Sequence, residues 1–274
     1  MKQRIITGVV GIIVAALVIN MGGAVFAAAA TILALIAWKE YAAAFLNIDL
    51  HVSPKLGFLL VAALLGATYF CGLPGIVGTV MLGTLLLLLG SVFSFEKTGF
   101  QGAGISVAGF VYIGLAFSHL IMLRFFAPEI QIETIFGNFT RGEAFIWLMF
   151  IGTWASDSFA YFAGKAVGTT KLSEDISPNK TIEGFIGGLI GTTVVIFVIG
   201  HFFFGFHLYF MPLLGVILAI FGALGDLVES ALKRHTGIKD SGNLIPGHGG
   251  VLDRFDSVLF NAPIVYYFAL GFGL

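Results

Sequence analysis

Seven Lys, Arg and Asp side chains fall between Ser230 and Asp256, in "SALKRHTGIKDSGNLIPGHGGVLDRFD": Lys233, Arg234, Lys239, Asp240, Asp253, Arg254 and Asp256. The rest of the chain is poor in charge, since only 11% of its 274 residues are charged and 58% are hydrophobic. Three glycines flank His248 in "GHGGVLDRFD", and a backbone of that kind can approach an anion closely. Asp253 and Asp256 follow at i and i+3, so on a helix they project together. In the preceding apolar stretch, "AIFGALGDLVESALKR", Asp226, Glu229 and Lys233 stand at i, i+3 and i+7. Gly222 and Gly225 beside them let a neighbouring backbone or ligand come near. Asp226, Asp253 and Asp256 would together make an all-oxygen donor set suited to Mg²⁺ and phosphate oxygens rather than to zinc. Lys233, Arg234, Lys239 and Arg254 would surround it with positive charge. His248 by itself reads as a hydrogen-bonding or phosphate-contacting residue rather than a metal ligand.

A second group lies upstream. Asp157, in "FIGTWASDSFAYFAGKAVG", shares a helix face with Tyr161 and Gly164. An ionised carboxylate in hydrocarbon costs at least about 2.5 kcal/mol, so Asp157 and Asp226 are expected to face a polar cavity. The alternative is a buried acid tied to a Lys or Arg of another helix for packing specificity. In "GKAVGTTKLSEDISPNKTIEG", Lys180 and Thr181 open an apolar segment, where the free amides of a helix N-terminus favour phosphate. The chain has neither the P-loop spacing nor a G-x-G-x-x-G dinucleotide fingerprint. Cys71 is the only cysteine, which excludes an intramolecular disulfide and a thiolate-rich metal site. The residues thus describe a divalent-metal site handling a polyphosphate.

Apolar helices must position these groups. A mean hydropathy of +1.01 with 29 Phe lies far outside the range of a soluble domain. The apolar runs are continuous rather than alternating, and the expected fold is all-α: a polytopic integral membrane protein with about nine transmembrane helices. Gly, Pro, Asn and charge clusters divide it at about 5–20, 23–46, 56–71, 75–93, 103–126, 143–164, 183–204, 209–232 and 257–273. The first two runs join at Asn20 to Gly23, and an uncleaved first span is preferred to a signal peptide. With nine spans, twelve of the 14 Lys and Arg residues fall on the N-terminal side and only Arg124 and Arg141 opposite. That bias places the N-terminus and the loops 165–183 and 233–256 in the cytoplasm of an inner-membrane protein. Residues 1–142 read as a transmembrane scaffold and 143–274 as the catalytic region. No basic arm or stripe exists for a nucleic-acid partner.

Ser230, Leu232-Lys233-Arg234, Lys239-Asp240, Gly242, Ile245-Pro246, His248-Gly249-Gly250 and Asp253-Arg254-Phe255-Asp256 resemble the signature of the phosphatidate cytidylyltransferases, or CDP-diacylglycerol synthases. The upstream "SDSFAYFAGKAVGTTKLSEDISPNKTIEG" also resembles this family, with elements shared by CTP-dependent lipid kinases. The two segments cover about a fifth of the chain. The resemblance implies the reaction CTP plus phosphatidic acid to CDP-diacylglycerol plus pyrophosphate. It implies that Asp226, Asp253 and Asp256 hold Mg²⁺, with a second cation as an option. Lys180, Lys233, Arg234, Lys239 and Arg254 go to CTP phosphates or the lipid head group, and His248, Gly249 and Gly250 to phosphate approach. Ser177, Thr181 and Asp240 join the substrate-binding set, and Asp157 and Tyr161 line the polar cavity. Catalysis is assigned to Asp226, Asp253, Lys233, Arg234, Lys239 and His248. The partners are CTP, phosphatidic acid and the bilayer, with a homodimer left open. The alternatives are a CTP-dependent lipid or polyprenol kinase, disfavoured by "GHGGVLDRFD", and a transporter of a phosphorylated solute, which would be expected to show inverted repeats.

Overall fold

A computed structural model describes residues 2–135, 137–244 and 249–274, which places His248 outside the described residues. Each of the nine apolar segments is helical. In chain order the helices are α1 (Lys2–Met21), α2 (Gly23–Leu46), α3 (Pro54–Phe93), α4 (Gly99–Arg124), α5 (Arg141–Val167), α6 (Ile182–Val198), α7 (Phe210–His235) and α8 (Leu252–Gly271). A π-helical turn, Ile199–Phe203, extends α6. Long apolar runs become helices because only intrasegment hydrogen bonds satisfy their backbone away from water.

Breaks between helices follow local chemistry. The α1–α2 joint falls at Gly22 and Gly23, with φ of 57° and 50°, a conformation glycine adopts without a Cβ penalty. In the 40-residue α3, Gly72 leaves helical geometry at φ 60°, ψ −139°, and Pro74 follows. That kink divides α3 where the sequence divides its third and fourth spans. Thr140 opens α5 through a capping box with Glu143, and Thr181 caps α6 by accepting the Gly184 N–H.

Among the described residues five helices are long and apolar enough to cross a membrane: α2, α3, α4, α6 with its π turn, and α7. The chain is therefore an integral membrane protein. Against the nine spans expected, five helices reach that length and apolarity, one of which, α3, contains two of the expected segments. α5 carries Arg141, Glu143, Asp157 and Lys165 and α8 carries Asp253, Arg254 and Asp256, which lowers their apolarity; α1 contributes only the shorter apolar stretch Thr7–Met21.

Among the described residues two short antiparallel hairpins interrupt the all-α pattern: β1 (Gln131–Thr134) with β2 (Gly137–Thr140), and β3 (Lys171–Ser173) with β4 (Ser177–Thr181). Strands of three to five residues carry too little alternation to stand out between long apolar runs. The chain forms two compact units, one of residues up to Met122 with Leu232–Phe255, the other of Leu123–Ala231 with Asp256–Leu274. The core of the first includes Trp38, Leu64, Phe110 and Phe117; that of the second includes Phe145, Leu148, Leu214 and Val265.

Candidate active site

In the unit formed by 123–231 and 256–274, small residues bring α5, α6 and α7 close enough to share a cavity. A Cβ placed on Gly184 would lie 2.8 Å from the Ala160 carbonyl oxygen, and one on Gly188 would lie 3.0 Å from that of Ser156. α5 and α6 therefore meet backbone to backbone, the close approach that small residues permit between membrane helices. The cavity has a volume of about 670 Å³. Asp157 and Tyr161 enter from α5, Ser177, Lys180 and Thr181 from β4, and Asp226 from α7. All six are residues the sequence singles out, and Asp157 and Asp226 line one cavity.

The walls are held by specific contacts. Lys180 forms an ion pair with Asp226, and the Ser230 hydroxyl donates to Asp226 Oδ1 at 3.3 Å. Glu183, in the first turn of α6, accepts the backbone N–H of Thr169 at 3.1 Å and of Thr170 at 3.1 Å, and the Thr169 hydroxyl at 2.8 Å. That carboxylate fastens the base of the β3–β4 hairpin, on which Lys180 is carried. Lys171 Nζ donates to the Pro178 carbonyl at 2.6 Å, which turns it along the hairpin. Lys165 lies over the Tyr161 ring, 5.9 Å from its centroid, a cation–π distance.

Asp256 joins this unit through α8. Gly225 packs against it so closely that a Cβ there would lie 2.6 Å from the Asp256 carbonyl oxygen, and at Gly222 a Cβ would lie 3.1 Å from Asn261 Nδ2. Gly225 thus admits the backbone of α8 beside Asp226, and Gly222 makes room for the Asn261 and Ser257 side chains of the same helix. Burial, and then the negative charges of Asp226 and Asp157, push the Asp256 carboxyl up to about 7 against the lowering effect of the Ser257 N–H and Lys180.

Lys233 and Asp253 belong to the other unit. Lys233 Nζ donates to Asp253 Oδ1 at 2.8 Å. Asp253 Oδ2 accepts from the Ser241 N–H, the Ser241 hydroxyl and the Gly250 N–H, each at 2.8 Å. Burial pushes the Asp253 carboxyl upward, but Lys233, the Gly250 N–H and Ser241 outweigh it and bring it down to about 2. Expected as a cation ligand, Asp253 here organises the loop that precedes its own helix. Gly249, at φ 84°, has no room for a Cβ, which would fall 2.7 Å from Asp253 Oδ2. Arg234, Lys239, Asp240 and Arg254 are exposed.

Two acids that hold these segments escape the sequence reading. Glu183 sits within a recognised motif but without an assigned role. Glu40, on α2, accepts the N–H groups of Val251 and Leu252 at 2.9 Å each. The available signal was an acid inside the apolar run "ALIAWKEYAAAF".

Among the described residues no three His, Cys, Asp or Glu side chains are grouped to hold a metal ion. The donor type nevertheless suits a hard cation: Asp226 and Asp256 present carboxylate oxygens, with Asp157 lining the same cavity as Asp226. Mg²⁺ commonly retains waters and takes only one or two carboxylates beside substrate phosphates, so donors of this type suit the ion without a complete protein cage.

Comparison with known proteins agrees across the chain. It is 36% identical over 272 residues to the phosphatidate cytidylyltransferase of Staphylococcus haemolyticus, covering 97% of both chains. To the phosphatidate cytidylyltransferase of Bacillus subtilis it is 41% identical over 194 residues, covering 69% of this chain and 64% of the relative. The model of the cytidylyltransferase family matches residues 2–272, and the chain belongs to that family.

Proposed function

We propose that the protein makes CDP-diacylglycerol and pyrophosphate from CTP and phosphatidic acid. The observation that carries this reading is the gathering of Asp157, Tyr161, Ser177, Lys180, Thr181 and Asp226 around one cavity within an apolar helical unit. Phosphatidate carries a phosphate monoester whose second pKa is about 6, so its oxygen is already anionic near neutrality. That oxygen bonds to the α-phosphorus of CTP as the bond to the bridging α–β oxygen breaks and pyrophosphate leaves. No general base is required of the protein, which has to offset repulsion between two anions and align the attacking and leaving oxygens. Lys180, paired with Asp226, is placed to exchange part of that pairing for a phosphate oxygen. Asp226 and Asp256 would hold Mg²⁺, which when bound supplies charge neutralisation on the phosphates. The family signature adds Asp253 to these acids, and Lys233, Arg234, Lys239 and Arg254 to the phosphate-binding set.

Isotope placement separates this reaction from phosphoryl transfer by a CTP-dependent kinase. With purified protein, phosphatidate and Mg²⁺, label in the α-phosphate of CTP should enter the lipid and label in the γ-phosphate should leave as pyrophosphate. Lipid carrying the γ-label sinks the cytidylyltransferase reading.

Nine spans, with the N-terminus and the loops 165–183 and 233–256 in the cytoplasm, complete the proposal and are supported by the distribution of Lys and Arg. CTP would then arrive from the same side as the lipid phosphate at the membrane surface. With Cys71 replaced by Ala, Lys171→Cys and Asn243→Cys should both react with a membrane-impermeant thiol reagent from the cytoplasmic side alone. Labelling of the two from opposite sides refutes this topology.

A further inference from the structure

Glu40 is an acid in an apolar helix, only 8% exposed, and 211 residues before Val251 in the chain. A carboxylate so buried is costly unless its oxygens are hydrogen-bonded. Its Oε1 accepts the Val251 N–H and its Oε2 the Leu252 N–H, both at 2.9 Å, and the Ser241 hydroxyl lies 3.4 Å from Oε2. These amides belong to the start of α8, where the first N–H groups have no partner inside the helix and the helix dipole favours negative charge. The seat is shaped for this acid. A Cβ on Gly242 or on Gly250 would fall 2.5 Å from Glu40 Oε1, so neither position admits a side chain while Glu40 stays where it is. Gly250 and Ser241 also donate to Asp253, so two carboxylates clamp one loop from opposite ends of the chain.

We infer that Glu40 is a positioning residue for the reaction proposed above: it anchors the first turn of α8 and so sets the direction in which Asp253 leaves that helix. Asp253 directly follows Leu252, whose N–H Glu40 holds. The N-terminal half of the chain is thereby tied to the signature segment by a charge and not by packing alone. The inference rests on that reaction for its functional half and on the hydrogen bonds for its structural half.

Glu40→Gln separates the two. Glutamine keeps the size but offers one amide oxygen, and its NH₂ must face one of the two N–H donors. In full-length protein assayed with CTP, phosphatidate and Mg²⁺, kcat should fall about tenfold or more while KM for CTP changes less than about threefold. Amide hydrogen exchange should quicken in the peptide Gly249 to Phe255 and stay at the parent rate in α5, α6 and α7. Parent-like kcat in folded Glu40→Gln overturns the inference. So does a loss of activity that only matches a chain-wide rise in exchange, because that is a general packing defect. If Glu40→Gln does not accumulate, Gly242→Ala displaces Glu40 without removing its charge and should show the same kcat loss and the same local exchange; normal turnover there overturns it equally. A parent protein that forms no CDP-diacylglycerol sinks the proposed reaction instead, and the exchange comparison still decides whether Glu40 holds α8.

Discussion

Asp226→Asn should lower turnover by about a hundredfold or more, equivalent to about 2.7 kcal/mol of barrier, with little loss of folding stability. The two halves of that expectation come from different magnitudes. Lys180 and Asp226 are 28% and 30% exposed, and a part-exposed ion pair contributes only about 0–1 kcal/mol to folding. Asparagine also keeps an oxygen for the Ser230 hydroxyl. Chemistry should be affected far more, because the charge that pairs with Lys180, and that is proposed to attract Mg²⁺, is gone from the cavity. High Mg²⁺ should restore part of the activity if metal affinity is the main loss. If both acids hold one ion, as proposed, Asp256→Asn should lose turnover alike, and the double variant should cost much less than the product of the two. Steady-state kinetics across a Mg²⁺ titration checks this. Near-normal turnover of Asp226→Asn at limiting Mg²⁺, or losses that multiply independently, would reduce Asp226 to a structural partner of Lys180.

Asp253→Asn should lose turnover to a similar degree and should also destabilise the protein. Four donors converge on this carboxylate, three of them on Oδ2. An asparagine NH₂ placed toward Oδ2 would confront Ser241 and Gly250, and placed toward Oδ1 it would confront the Lys233 ammonium. The Lys233 and Asp253 side chains are 17% and 4% exposed, and removing one partner of a buried charge pair typically costs about 3–5 kcal/mol. Thermal unfolding in detergent should therefore show a clear fall in midpoint for Asp253→Asn and almost none for Asp226→Asn. Turnover is to be normalised to folded protein. Identical melting of parent and Asp253→Asn would mean that the loop does not depend on this carboxylate.

The contrast between these two acids shows where sequence reasoning reaches and where it stops. The helical segments were legible because hydropathy is a property of consecutive residues: each apolar run is helical, and Gly22, Gly23 and Gly72 mark breaks that single residues impose on their own backbone. Face-sharing was legible for the same reason. Asp157 and Tyr161 are one turn apart on α5 and line one cavity, and Gly222 and Gly225 admit α8 beside Asp226. The hairpins β1–β2 and β3–β4 were not legible, because strands this short form where the flanking helices hold their ends rather than through a pattern of their own.

Which charges meet was decided only in three dimensions. By itself the sequence determined that the chain is a set of apolar helices carrying Asp226, Asp253, Asp256 and several bases near their ends. Nothing within one turn of Lys180 identifies Asp226 as its partner, and nothing near Glu40 identifies Val251 and Leu252. Asp253 and Asp226 look equivalent as letters, yet one is closed in by Lys233, Ser241 and Gly250 while the other opens into a cavity with Lys180. The reason is that helix periodicity depends on neighbours three and four residues away. A buried carboxylate instead takes whatever donors the packed chain leaves without partners, and those donors become known only when helix ends from distant parts of the chain are brought together.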